Sequence, residues 1–236
     1  MTAFRGYSRQ TPTRQFGELV ELYRQMHTGG YVAQRGAEAV PVSADHAFPG
    51  DALPMWSAFI RAEILRYGSR SLLDYGAGKA RYYREPQHFL EHGGTWRRGM
   101  LKPYWNDIHI HTYEPALGDP LPQRKFDCVV NADVLEHVYA GDVPWVVDEM
   151  FSLARHFVFC NIACYPAQAR LPTGEDAHIM VRTPDYWRGV FDSVANNHPG
   201  VDFVLACSMR WGLEDSLIYR RIPFDDLPDA GRYAVA

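Results

Sequence analysis

The most constraining feature of the chain is a series of short apolar runs, at residues 71–75, 108–113, 126–131, 157–162, 201–207 and 216–220, separated by segments whose apolar residues recur every three or four positions. Runs of that length read as strands and the intervening period reads as helix. Strands that alternate with helices predict a mostly parallel, twisted sheet with helices on both faces, a Rossmann-like α/β fold. Only about eight residues join the last two runs, too few for a helical crossover, so one of them is expected to run antiparallel near the C-terminus.

Ahead of the first strand, Phe16, Leu19, Val20, Tyr23 and Met26 form one helical stripe that Gly29 and Gly30 stop. Residues 31–52 keep no period and read as a long loop. Pro54 opens a second helix with Trp56, Phe59, Ile60 and Ile64 on one face. Further helices are expected over residues 143–154 and after Thr183-Pro184, the latter striped by Tyr186, Val190, Phe191 and Val194. The expected organisation is a lead segment of helices over residues 1–67 and a ligand-binding domain over residues 68–236.

In an open α/β sheet the ligand crevice lies beyond the carboxyl ends of the strands. The first strand ends in Asp74 and turns through Gly76 and Gly78, where a ligand can approach the backbone without a Cβ in its way. A following helix would offer unpaired N–H groups to a carboxylate or phosphate. A tight turn with no ligand explains the same residues equally well. Gly76-Ala77-Gly78-Lys79-Ala80-Arg81 lacks the third glycine of the dinucleotide fingerprint, which counts against NAD. The second strand ends in Glu114, where a carboxylate can bind two ribose hydroxyls, and the run "FDCVVNADVLEHV" ends in Asn131, Ala132 and Asp133.

These residues resemble the class I S-adenosylmethionine-dependent methyltransferases: "LLDYGAGKA" is similar to that family's first motif, "TYEPA" to its acidic second motif, and "FDCVVNADVLEHV" to its fourth-strand motif. The resemblance covers roughly residues 68–220. More narrowly, "LLDYGAGKARYY", "FCNIA" and "LPTGEDAHIMVRTPDYW" look like a bacterial and phage branch associated with polysaccharide or other small-molecule gene sets. It implies S-adenosyl-L-methionine as cofactor, with Asp74, Gly76 and Gly78 around its methionine part, Glu114 on the ribose, and Asn131, Ala132 and Asp133 along the methionine side. The chain departs from the family pattern in that Ala80 replaces its third glycine and its adenine-side acidic residue has no clear counterpart, and in two intervals. The 36 residues from Gly78 to Glu114 require an insertion containing "GGTWRRGMLKPYW", and the short interval from Glu114 to Phe126 implies a lost helix and third strand.

Methyl transfer from a sulfonium is an in-line displacement that needs above all a positioned acceptor, and a hydroxyl acceptor gains from a base titrating near neutrality. His178 in the loop "PTGEDAHIM" and His137, four residues after Asp133, are the catalytic candidates; a solvated loop histidine and a capping histidine are their plainer readings. Glu136 reads as a first-turn charge, and Lys79, Arg81 and Tyr83 as a solvated helix face. Trp96, Arg97, Arg98, Tyr104 and Trp105 would form a lid, a carbohydrate-stacking surface or helix packing. No metal site is expected, either from the strand pair His109 and His111 or from Cys160 and Cys164; the cysteines read as reduced core thiols.

A formal charge of -4 gives no overall basic field for nucleic acid or anionic lipid, which leaves only a local basic patch open, and no apolar stretch approaches a membrane span. The expected protein is a cytoplasmic O-methyltransferase for a small-molecule or sugar-like acceptor. The alternatives are an N-methyltransferase and a catalytically silent cofactor- or partner-binding protein on the same fold. The N-terminal helices and residues 164–183 are expected to cover the acceptor pocket.

Overall fold

The computed structural model describes residues 6–92, 94–221 and 233–235. Among them the chain runs α1 (Arg14–Gly29), β1 (Tyr31–Arg35), β2 (Glu38–Val42), α2 (Ala52–Met55), α3 (Ser57–Tyr67), β3 (Ser71–Tyr75), β4 (Gln87–Leu90), β5 (Trp96–Gly99), α4 (Leu101–Tyr104), β6 (His109–Tyr113), β7 (Phe126–Ala132), α5 (Val143–Leu153), β8 (Ala154–Ala163), α6 (Pro184–Ala195), β9 (Asp202–Ser208), β10 (Ser216–Arg221) and β11 (Tyr233–Val235).

A seven-stranded sheet in the order β11-β10-β9-β8-β7-β3-β6 forms the centre. The five strands from β9 to β6 are parallel, and β10 and β11 join antiparallel at one edge. Counted along the chain, β6-β3-β7-β8-β9 is the doubly wound order without its third strand. The crevice therefore opens where β3 is flanked by β6 on one side and β7 on the other.

Alternation along each strand divides the core. Leu73, Val129, Val158 and Phe203 face α5 and α6, where Met150, Trp187 and Phe191 are buried. Leu72, Val130, Phe159 and Val204 face Trp56, Ile60 and Ile64, so α3 shares a single core with the sheet. Phe126 and Cys128 lie in opposite layers although two residues apart, because the pairing with β8 shifts register between them. Full burial of a Phe of this kind contributes about 1.5–3 kcal/mol.

Several local expectations need correction. Residues 31–42 form the hairpin β1–β2 and not a loop; its signal was the alternating "YVAQRGAEAVPV" about Gly36. The helix expected from Pro54 is broken at Trp56, which ends α2 and starts α3. No α-helix follows the glycine turn: a 3-10 turn at Arg81–Tyr83 leads into the hairpin β4–β5. Thr183 precedes α6 without a side-chain capping bond, whereas Thr13 caps α1 by accepting from the Phe16 amide. In the insertion, Trp105 is fully buried and donates to the Ser57 carbonyl at 3.0 Å, while Trp96 is exposed. The four cysteines are free and buried, and among the described residues no helix is long and apolar enough to cross a membrane.

Candidate functional site

A cavity of about 590 Å³ lies beyond the carboxyl ends of β3, β6 and β7, a size suited to a small ligand. Gly76, Gly78, Glu114, Ala132, Asp133, His137 and His178 all line it. Its cover comes from three segments distant in sequence. Phe16, Leu19 and Tyr23 project from α1, Phe48 follows the first hairpin, and Tyr165 lies in the segment after β8. A small core of Leu19, Met26, Leu171 and Ala177 joins α1 to that segment, and β1 meets it through the Gln34 amide donating to the Gln168 carbonyl at 2.6 Å.

Glu114 braces the crevice. One carboxylate oxygen accepts from the Gly78 amide at 2.9 Å and the other from the Ala116 amide at 3.0 Å. Burial raises its pKa against the lowering effect of those two bonds. The remaining donors of the turn are also used. The Gly76 and Ala77 amides donate to the Tyr113 carbonyl, Lys79 to that of Phe48, and Ala80 to that of Ala77. The turn thus keeps its own N–H groups and offers none to an anion, contrary to the expectation from its sequence.

Asp74 and Asn131 do not reach the cavity. Asp74 is buried on the Leu72 face of β3, where it accepts a hydrogen bond from the Tyr82 hydroxyl. Burial pushes its carboxyl from 3.8 up to about 7, opposed by the bond from Tyr82. Asn131 ties three strands: its amide donates to the Tyr75 carbonyl at 2.7 Å, and its oxygen accepts from the Cys160 thiol at 3.2 Å. Both sit behind the crevice wall and shape it.

The polar end of the cavity holds the two histidines. Asp133 adopts a left-handed backbone (φ 62°), which Asp tolerates better than most residues, as its amide donates to the Asn161 carbonyl. His178 is buried rather than solvated. Its loop is fixed by Asp176, which accepts from the amides of Ala167 and His178, both at 2.9 Å. His178 Nδ1 lies 2.6 Å from the Tyr165 carbonyl, and its Nε2 lies 4.0 Å from Asp133 Oδ1. His137 Nδ1 lies 2.9 Å from the Ala177 carbonyl and 2.6 Å from the Tyr23 hydroxyl. Burial, with His178 beside it, lowers the His137 pKa from 6.5 to about 4.

Glu136 is fully buried and not a surface charge; the Ala163 amide donates to one oxygen, and burial together with Asp133 drives its pKa well up. Lys79 is likewise no solvated side chain, since its ammonium donates to the carbonyls of His27 and Ala44. His109 and His111 lie on edge strand β6 and do not line the cavity. Tyr23, Tyr165 and Phe48 are site residues that sequence reasoning did not single out. Tyr23 was legible only as one of the apolar stripe of α1. No family model matches the sequence, and a search of curated proteins returns no significant match.

Proposed function

We propose that the protein is an S-adenosylmethionine-dependent methyltransferase that acts on a hydroxyl of a small-molecule or sugar-like acceptor. The observation that carries this reading is the donor and acceptor balance of the crevice. Every N–H of the glycine turn from Gly76 to Ala80 is used internally, and the cavity wall carries Asp51, Glu114 and Asp133 against Arg35. Such a wall suits a cationic ligand with hydroxyl groups and leaves a pyrophosphate without partners. S-adenosylmethionine, with its sulfonium, ammonium and ribose hydroxyls, fits that chemistry better than a dinucleotide does.

In this reading Glu114 accepts from the ribose hydroxyls with the lone pairs its two amide bonds leave free. Gly76 and Gly78 leave the floor of the crevice without side chains, and the aromatic cover from Tyr23, Phe48 and Tyr165 excludes water and holds the acceptor. S-adenosylmethionine would supply the methyl group to the acceptor oxygen, its sulfur–carbon bond breaking as the new bond forms, and His178 Nε2 would take the hydroxyl proton. His137, with a pKa of about 4, stays neutral at pH 7 and is too weak a base for that role, so it is assigned to positioning through Tyr23.

Calorimetry with S-adenosylmethionine and S-adenosylhomocysteine, with NAD as control, tests the reading. Micromolar binding of the first two, weakened in Glu114→Ala and absent for NAD, is the expected result. A folded protein that binds neither overturns it. Binding without methyl transfer to any hydroxyl or amine of an acceptor panel would favour the silent alternative, which the self-satisfied glycine turn also suits.

A further inference from the structure

We infer that Asp133, His137 and His178 form a binding site for one divalent transition-metal ion that opens into the cavity. One ligand-capable atom from each of the three lies within 4.8 Å of the others, and this is the group of its kind found among the described residues. The inference rests on the side chains alone and not on methyl transfer; with an ion bound, His178 Nε2 would be a ligand, and the proton of an acceptor hydroxyl would pass instead to an ion-bound hydroxide.

The hydrogen bonds behind the histidines supply the second argument. A carbonyl oxygen only accepts, so the nitrogen facing it must carry the hydrogen. Tyr165 and Ala177 present carbonyls to Nδ1 of His178 and His137, which places the free lone pair of each neutral ring on Nε2. A metal-bound histidine is held in the same manner, by a backbone carbonyl on its other ring nitrogen. Tyr23 adds a hydroxyl to the His137 side of the arrangement, and its own hydrogen goes to the Ala177 carbonyl at 2.9 Å.

Two imidazoles and one carboxylate with open positions are the ligand set of zinc and of non-haem iron or manganese, and a poor one for magnesium or calcium. Ligands about 2.0–2.2 Å from such an ion lie roughly 3.0–3.5 Å from one another. The 4.0 Å between His178 Nε2 and Asp133 Oδ1 therefore has to shorten slightly on binding. Asp133 is the member able to move, because its side chain is 32% exposed whereas that of His178 is 6% exposed. All three ligands line the cavity, which leaves the remaining coordination positions to water or to an oxygen of a bound ligand that the ion would polarise.

Titration of chelator-treated protein with Co²⁺, followed by its visible ligand-field absorption, tests the site. Saturation at one ion per chain is expected, weakened roughly tenfold or more in each of Asp133→Asn, His137→Gln and His178→Gln, and unchanged in His109→Ala. No saturable uptake at millimolar metal, or uptake indifferent to the three substitutions, overturns the inference. Should a histidine variant fail to fold, NMR of the unmodified protein decides. Substoichiometric Mn²⁺ broadens the ring protons of His137 and His178 first if the site is real, and those of other histidines first if it is not.

Discussion

The Gly78 amide donates to Glu114 Oε2 across 36 residues of sequence, closing the end of β3 against the end of β6. Through this bond the glycine turn and the acidic strand tip become one wall of the crevice. Glu114→Ala leaves the Gly78 and Ala116 amides without acceptors in a buried setting, which costs about 1–3 kcal/mol for each. Glu114→Gln keeps one acceptor oxygen and is expected to lose less. Urea denaturation of the three proteins checks the order, and an unchanged midpoint in the alanine variant would remove Glu114 as the brace.

Asp74 and His27 give stability opposite pH dependences. Burial raises Asp74 from 3.8 to about 7, so between those values the folded state binds the extra proton and stability falls as pH rises. Burial, with Lys79 nearby, lowers His27 from 6.5 to about 4, so there the unfolded state binds the extra proton and stability rises with pH. Each contribution changes by up to about 1.4 kcal/mol per pH unit inside its window. Asp74→Asn is expected to gain stability relative to the parent from pH 4 to 7, and His27→Gln to lose relative to it. Melting temperatures across that range measure both, and parallel curves for all three proteins would contradict the assignment.

Gly76 and Gly78 both have positive φ, yet they differ in what a methyl group would meet. At Gly78 it would lie 2.5 Å from the Phe48 carbonyl oxygen, and at Gly76 it would lie 2.6 Å from a Val134 methyl. Either alanine variant is expected to cost about 1–3 kcal/mol from backbone strain and contact. Val134→Ala should recover part of the loss in Gly76→Ala, because a side chain can be trimmed. No comparable partner exists for Gly78→Ala, whose obstacle is backbone. Equal rescue of both by Val134→Ala would refute the distinction.

Arg9 fastens the N-terminal segment to the sheet. Its guanidinium donates to Glu149 Oε1 at 2.6 Å, the Tyr75 hydroxyl donates to the same oxygen at 2.7 Å, and Trp145 lies beneath the cation at 5.5 Å. Arg9→Ala leaves a largely buried carboxylate short of its cation and is expected to cost about 1–3 kcal/mol. Limited proteolysis should then cut ahead of α1 sooner than in the parent; an unaltered digestion pattern would argue against this anchor.

Much of the architecture was legible because strand and helix write their own periods into the chain. Val146 and Met150 on α5, and the alternation of Leu72 with Leu73 on β3, mark their buried faces without reference to any distant residue. The same holds for the break after Tyr75, since Gly76 and Gly78, two glycines within three positions, do not continue a strand comfortably. The hairpin of residues 31–42 was missed because its alternation is carried by alanines and a proline, which contribute little apolar contrast.

Local pattern alone was enough to specify the strands of the central sheet from β3 to β10 and the turn at which the crevice opens, because each follows from neighbours within one or two turns of chain. What each polar residue of the crevice faces depends on contacts between remote segments. Asp74 and Asn131 lie behind its wall, Glu136 is buried, and Asp133 and His137 meet His178 only because the segment after β8 folds back over the cavity. A local period specifies which side of an element is apolar. It carries no record of which remote segment will lie across a strand end, and that placement sets the burial and hydrogen bonds on which the chemistry of a carboxylate or an imidazole depends.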